Sequence, residues 1–364
     1  MPPRPQLRPD LLGLSPDELE AFLQQLGQPA YRAHQLLSWL HRGASFEEMT
    51  DLPKALRERL AQTATAGTLS LLARYDASDG SAKFAFRTGD GHTIETVLIP
   101  HPSASLRAGR SRVTVCVSSQ IGCAFGCAFC ATGKQGLTRS LRASEIVEQV
   151  VRVQADIAPR RVTNVVFMGM GEPLANYDAV LKAVSLLNNE HGLGIGARHI
   201  AVSTCGLPRE MRRLADEGLQ LALAVSLHAA TDDVRQQLVP LARKHPIAEV
   251  IAAARCYADK TGRKVAFEYV VVPGLNDTPD QARTLAGLLR GIPAMVNVIP
   301  RNPADESGPP EPHSAFRFAH LLQERGLPAV VRRSRGAEVL GACGQLASRP
   351  QATNKAGRDS SRPA

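Results

Sequence analysis

At 364 residues, with 44% hydrophobic and 21% charged side chains, the chain is long enough for one domain of roughly 250 residues plus a smaller module, and its composition excludes wholesale disorder. A net charge of +9 points towards a polyanionic partner. No apolar run approaches the ~18 residues of a membrane span and the opening Met1-Pro-Pro-Arg-Pro5 leads into polar sequence, so no membrane partner, no secretory leader and a cytoplasmic location are expected, where seven cysteines mean metal ligands or redox chemistry rather than disulfides.

The first expected unit, residues 1–66, is a small helical accessory domain. Ser15-Pro16-Asp17-Glu18 reads as a capping box with proline at the first helical position, and Leu19, Phe22, Leu23 and Leu26 follow at helical spacing until Gly27. A second helix begins near Pro29 with Ala33, Leu36, Leu37 and Leu40 on one face, and a third runs from Pro53 through Leu56 and Leu60. Residues 67–108 alternate with a shorter period around the Asp79-Gly80 and Asp90-Gly91 turns, and read as a β-meander linking to the core.

From residue 109 to 346 short apolar runs alternate with amphipathic stretches. Strands are expected at 113–118, 164–168, 199–203, 222–226, 265–271, 296–299 and 329–332, and helices at 145–153, 177–187, 208–214, 232–242, 248–258, 279–289 and 315–322. Strand and helix in repeated register mean a parallel sheet, so the fold class is α/β, an open or partial (β/α) barrel with chemistry at the C-terminal strand ends. Residues 347–364 carry Ser, Arg, Pro and Gly without apolar periodicity, and a disordered basic tail is expected there. Basic residues cluster at Arg107, Arg110 and Arg112, at Arg209, Arg212 and Arg213, at Arg263 and Lys264, and at Arg332, Arg333 and Arg335. Each cluster alone is a solvated face; several together make nucleic acid a serious candidate partner.

The chemistry concentrates in Gly122-Cys-Ala-Phe-Gly-Cys-Ala-Phe-Cys130. Cys123, Cys127 and Cys130 offer three thiolates on one tight loop, whereas a structural zinc site takes four ligands, and no cysteine or histidine occurs between Cys130 and His191. Three sulfurs suit a [4Fe–4S] cluster with one iron left open, and this spacing resembles that of the radical S-adenosylmethionine (SAM) enzymes; a zinc knuckle or three buried thiols is the plainer alternative. Met168-Gly-Met-Gly-Glu-Pro-Leu174 follows a strand, where Gly171 lets backbone approach a ligand and Glu172 can accept hydrogen bonds from an ammonium. The other reading is an ordinary strand-to-helix turn. Ser203, then Ser226-Leu227-His228, and Asn302 supply polar groups at three further strand ends, and these complete the expected SAM contacts, although a lone His228 is more often a core histidine.

Cys116 on the first core strand and Cys343 in Gly341-Ala-Cys-Gly-Gln-Leu346 would each pass for a buried small hydrophobe. With the cysteine loop, residues 168–174 and Ser226–His228, they make residues up to about Leu346 resemble the RlmN-type adenine-C2 methyltransferases. The resemblance implies 23S rRNA and tRNA as substrates, two SAM molecules per turnover, and a reducing system for the cluster and for a Cys116–Cys343 disulfide. It implies that Cys343 is first methylated as a thiolate, that a 5′-deoxyadenosyl radical converts the S-methyl group to a methylene radical, and that this adds to C2, which is too electron-poor to displace a methyl group from SAM. Cys116 then attacks the Cys343 sulfur, forming the disulfide and freeing the base. Glu95 falls where the family has a proton acceptor, although a strand glutamate is usually just solvated. The helical module resembles an RNA-contacting domain, its alternative being a packing subdomain. The related C8-methylating resistance enzymes share both mechanistic cysteines and remain an alternative. A glycyl-radical activase has no use for the pair, and a non-enzymatic iron–sulfur RNA-binding protein would consume no SAM. Cys205 and Cys256 are read as structural.

Overall fold

A computed structural model describes residues 8–101, 112–303 and 312–347. The expected tail beyond Ala347, the N-terminal Met1-Pro-Pro-Arg-Pro5, and Arg107 and Arg110 lie outside the described residues.

The N-terminal unit comprises α1 (Pro16–Gln25), α2 (Arg32–Leu40) and α3 (Lys54–Thr63). The Ser15 capping box is formed, with Ser15 Oγ accepting from Glu18 N–H at 3.2 Å and Glu18 accepting from Ser15 N–H at 2.7 Å. These helices share one continuous apolar core with the rest of the described chain. His41 accepts from Leu193 N–H at 3.1 Å, and Glu18 pairs with Lys182 at 2.7 Å, which pins the unit to the main body.

Next come β1 (Ser70–Asp76), β2 (Ala82–Arg87) and β3 (Thr93–His101), an antiparallel meander that continues directly into β4 (Arg112–Cys116). The chain then forms a short ribbon, β5 (Gln120–Gly122) paired antiparallel with β6 (Leu137–Ser140), which brackets the cysteine loop and was not expected from the periodicity. Glycine permits it: a Cβ on Gly122 would lie 1.8 Å from Gly136 O. The remaining elements are α4 (Ala143–Asp156), β7 (Asn164–Phe167), α5 (Tyr177–Asn188), β8 (Ile200–Thr204), α6 (Pro208–Asp216), β9 (Ala222–Ser226) and α7 (Asp232–Leu238). They are followed by α8 (Ile247–Thr261), β10 (Val265–Val271), α9 (Pro279–Leu288), β11 (Ala294–Pro300), α10 (His313–Gln323) and β12 (Ala329–Val331). The helix expected over 232–242 stops at Leu238 and a separate 3-10 turn covers Pro240–Arg243. Pro240 has no N–H to donate and its ring obstructs the preceding turn.

The strands make a ten-stranded sheet in the order β1-β2-β3-β4-β7-β8-β9-β10-β11-β12, parallel from β4 onwards. Every crossover carries a helix and adds the next neighbour on the same side, the winding of a (β/α) barrel. Residues of β3, β4 and β7 line one cavity together with residues of β10 and β11 and of the segment after β12, so the sheet curls, while β1 and β12 do not pair with each other among the described residues. The barrel is therefore partial. Helix α4 is buried on nearly every side because the sheet covers one face and the N-terminal unit another. Its polar residues are satisfied internally: Gln149 accepts from Ser118 N–H and Thr96 Oγ1 at 2.8 Å, and Glu148 accepts from Thr68 N–H at 2.6 Å.

Candidate active site

The cysteine loop leaves β5 at the C-terminal end of the parallel sheet. Cys123, Cys127 and Cys130 are half-buried, and Gly126 in the loop has a φ of +61°. Burial, and then the neighbouring thiols, push Cys127 up to about 12; burial is also the main cause that takes Cys123 to about 11. Among the described residues no three His, Cys, Asp or Glu side chains converge as a single bound ion requires. A cubane cluster places each sulfur on a different iron and needs no such convergence, so the donor set of three soft, mutually interacting thiols on one loop fits it. Loading it must displace three thiol protons.

The Met168–Leu174 segment is stitched to the exit of β4. Gly169 N–H donates to Val117 O at 3.0 Å, Met170 N–H to Ser118 Oγ at 3.0 Å, and Glu172 N–H to Gln120 Oε1 at 2.9 Å. Gly171, at φ +95°, makes room for the protein itself: a Cβ there would lie 2.4 Å from Gln120 Cβ. Its expected approach to a ligand is thus an approach to Gln120. Glu172 is buried, accepts from Leu174 N–H at 3.0 Å and from Cys205 N–H at 2.8 Å, and is raised from the usual carboxylate range by burial, which outweighs these bonds. Its charge also acts on Cys123 and Cys127, which places it beside the cysteine loop.

The other expected contacts fall on neighbouring strand ends. Ser203 Oγ donates to Phe167 O at 2.6 Å, and Ser226 closes β9. The Leu227 side chain belongs to the apolar core, so only its backbone faces the site; its N–H donates to Glu268 O at 3.1 Å. His228 has a φ of +62°, accepts from Val270 N–H through Nδ1 at 3.1 Å, and packs edge-on against Phe129 of the cysteine loop, ring centres 4.6 Å apart. Burial holds its pKa down to about 3, so the ring is neutral, and the hydrogen bond to Nδ1 puts the proton on Nε2. Asn302 is engaged with protein: its Nδ2 donates to Cys343 O at 3.1 Å and its Oδ1 accepts from Ser334 Oγ at 2.5 Å.

Cys116 and Cys343, far apart in sequence, line the same cavity of about 290 Å³. Cys343 is exposed to this space yet enclosed by its walls, and burial followed by the charge of Glu268 raises its thiol while Arg332 opposes. Burial and then Cys343 push Cys116 up to about 12. The segment bearing Cys343 is fastened to the cysteine loop, with Ala131 N–H donating to Gly344 O at 2.7 Å and Thr132 Oγ1 to Leu346 O at 2.6 Å. Arg112, Arg332, Arg333 and Arg335 line the cavity, so two of the basic clusters meet at one mouth. A larger cleft of about 550 Å³, with Arg283, Arg290 and Arg325, opens beside Ala294 at the opposite end of the strands, away from every motif.

Glu95 does not line the cavity. It is buried on β3 in an ion pair with the equally buried Lys83 at 3.0 Å, and it accepts from Ala347 N–H at 2.9 Å. Val97, two residues along the same face, packs against Cys116 and Leu346.

A segment at residues 9–66 matches the model of the ribosomal RNA large subunit methyltransferase N-terminal domain, and residues 117–285 match that of the radical SAM superfamily. The chain is 48% identical over 348 residues to the probable dual-specificity RNA methyltransferase RlmN of Moorella thermoacetica, covering 93% of this chain and 97% of that one. The chain belongs to the RlmN family. The dual-specificity RNA methyltransferase RlmN of Anaeromyxobacter dehalogenans is 46% identical over 351 residues, covering 93% and 92% of the two chains. A crystal structure of a radical SAM methyltransferase from Sphaerobacter thermophilus superposes with a TM-score of 0.88 at 48% identity, over 94% of this chain and all of that one. As an RlmN-family radical SAM enzyme, the chain belongs to a class that works with SAM and a [4Fe–4S] cluster.

Sequence reading passed over Glu268, Asn297, Lys83 and Gln120 at this site. Glu268 carried a signal, a lone charge within Val265-Ala-Phe-Glu-Tyr-Val-Val271. Cys205 lies buried against the cysteine loop and is raised well above the usual thiol range, by burial first.

Proposed function

We propose that this RNA methyltransferase of the RlmN type places a methyl group on C2 of adenine in 23S rRNA and tRNA, using Cys343 as methyl carrier and Cys116 as the thiol that releases the product. The observation that carries the reading is the placement of Cys116 and Cys343 on one cavity rimmed by arginines. The bound cluster would supply the electron that cleaves SAM; Cys123, Cys127 and Cys130 would hold it, and Glu172, Ser203, Ser226 and the backbone at Leu227 and His228 would orient SAM beside it. Two SAM molecules are consumed per turnover in this reading.

Cys343 takes the methyl group as a thiolate and afterwards tethers the base through a methylene carbon. Cys116 attacks the Cys343 sulfur, the disulfide forms as the carbon–sulfur bond breaks, and a cellular reductant in the cytoplasm restores both thiols. Asn302 fixes the backbone of Cys343 through its 3.1 Å bond, so in this reading it acts at the carrier loop as well as near SAM. Glu95 is assigned the C2 proton, and it becomes available only when Ala347 releases its carboxylate. The arginine rim would hold phosphates of the RNA around the extruded base.

The test is Cys116→Ala supplied with RNA under reducing, anaerobic conditions. The variant is expected to methylate Cys343, cleave SAM and stall as a nuclease-sensitive protein–RNA adduct that maps to Cys343, while Cys343→Ala forms none. Normal turnover by Cys116→Ala would overturn the release step. Mass spectrometry of the product nucleoside distinguishes 2-methyl- from 8-methyladenosine, and the latter would move the enzyme to the C8-modifying class.

A further inference from the structure

The barrel interior carries a row of polar side chains that neither the cysteine loop nor the expected SAM contacts account for. Ser226 of β9 is in register with Glu268 of β10, and Glu268 is in register with Asn297 of β11. Register partners on parallel strands share a face. The adjacent Phe267 and Tyr269 belong to the core on the opposite face, where Tyr269 stacks on Phe318 of α10, so the row points into the barrel. Glu268 lines the cavity with Cys116 and Cys343, and its register partner on β9 is Ser226.

Its setting is that of a base. Asn297 Nδ2 donates to Glu268 Oε1 at 2.7 Å, which fixes the carboxylate and leaves Oε2 free. Among the described residues no lysine, arginine or histidine forms an ion pair with it, in contrast to Glu95 and Lys83. Glu268 is buried, and that burial raises it above the ordinary carboxylate range, outweighing the opposing charge of Arg332 and the Asn297 hydrogen bond, towards the basicity a proton acceptor needs.

We propose that Glu268 is the general base for Cys343: its free carboxylate oxygen takes the thiol proton as the sulfur lone pair attacks carbon. In methylation, which rests on the function proposed above, the new S–CH3 bond forms as the bond from carbon to the SAM sulfonium breaks, and that sulfur leaves as a neutral thioether holding the bonding pair. Glu268 ends protonated and returns the proton to solvent through the cavity. Arg332, which also lines the cavity, stabilises the transient thiolate. The other ionisable groups facing this space are His101 of β3, Arg112 and Cys116 of β4, and Arg333 and Arg335 after β12; Cys130 does not line it, but its charge acts on Cys343.

The experiment reads thiol chemistry instead of turnover. Full-length protein made by cell-free synthesis without SAM, and reconstituted with its cluster, starts with Cys343 unmodified; iodoacetamide alkylation of Cys343 is followed by peptide mass spectrometry from pH 6 to 9. With an internal base, the wild-type rate levels off below the thiol pKa, since the proton moves to Glu268 without hydroxide. In Glu268→Gln the rate falls about tenfold per pH unit, and at pH 6 it lies at least about tenfold below wild type. His101→Gln keeps the shoulder and Glu268→Asp keeps one of lower height. If Glu268 only repels the thiolate, Glu268→Gln reacts faster at every pH, and that result overturns the proposal. So does a wild-type rate that falls tenfold per unit with no shoulder, a result that needs no folded variant. Absence of S-methylation on Cys343 in cells would sink the carrier assignment while leaving this profile intact.

Discussion

Replacing Glu95 by glutamine separates a structural role from a catalytic one. Lys83 Nζ and Glu95 Oε1 lie 3.0 Å apart, with side chains 2% and 1% exposed. At an effective dielectric constant of ~20 the attraction across that distance is roughly 5–6 kcal/mol, much of it offset by the desolvation of both ions. Removing one partner leaves the other charge buried and alone, a loss of about 3–5 kcal/mol. Glu95→Gln keeps the shape and an acceptor for Ala347 N–H, so the loss in that variant comes from the stranded ammonium. Lys83→Met strands the carboxylate and should cost a similar amount. The double variant Lys83→Met/Glu95→Gln buries no charge and should recover most of the stability. Urea unfolding at pH 7, followed by far-ultraviolet circular dichroism and compared at a common slope, measures these differences. A Glu95→Gln stability within about 1 kcal/mol of wild type, or a double variant no more stable than the weaker single one, would refute the argument. The double variant also tests the chemistry: a folded protein that carries methyl-Cys343 but releases no product isolates the proton-acceptor role from the fold.

Two further outcomes follow from the geometry. Replacing Cys123, Cys127 and Cys130 together by alanine should abolish the charge-transfer absorbance of the anaerobically reconstituted protein, and a full cluster in that variant would remove the basis for radical chemistry. His41 is held by burial at about 4, below its ordinary 6.5, so the unfolded chain binds a proton between those values that the folded protein refuses. Its contribution is therefore intact above pH 6.5 and is lost as the pH falls towards 4: between pH 7 and 5, wild type should lose about 2 kcal/mol relative to His41→Gln, which keeps an acceptor for Leu193 N–H, and parallel stability curves would show that the site does not exclude the proton.

Much of the fold was legible locally. The Ser15 capping box, the Leu19 and Leu23 stripe and the alternation of short apolar runs with helical stretches depend on neighbours a few residues away, and the observed elements fall where those patterns put them. The exceptions are also local in origin but depend on contacts the pattern does not encode. Pro240 broke a helix, and the Gly122–Gly136 approach made a ribbon where a loop was expected.

What the chain determined by itself is the spacing of chemistry along one strand end or one loop: three thiols within Cys123–Cys130, and polar groups at the C-terminal ends of β7, β8 and β9. Covalent spacing fixes such neighbours before any packing occurs. The curl of the sheet decided what these groups meet. It set Cys343 across from Cys116 and turned Asn302 to the backbone of Cys343, while strand register aligned Ser226, Glu268 and Asn297 across three strands and set Lys83 diagonal to Glu95 on the β2–β3 hairpin. Register and closure join residues remote in sequence through the summed packing of every intervening strand and helix, and no short window of sequence contains that sum.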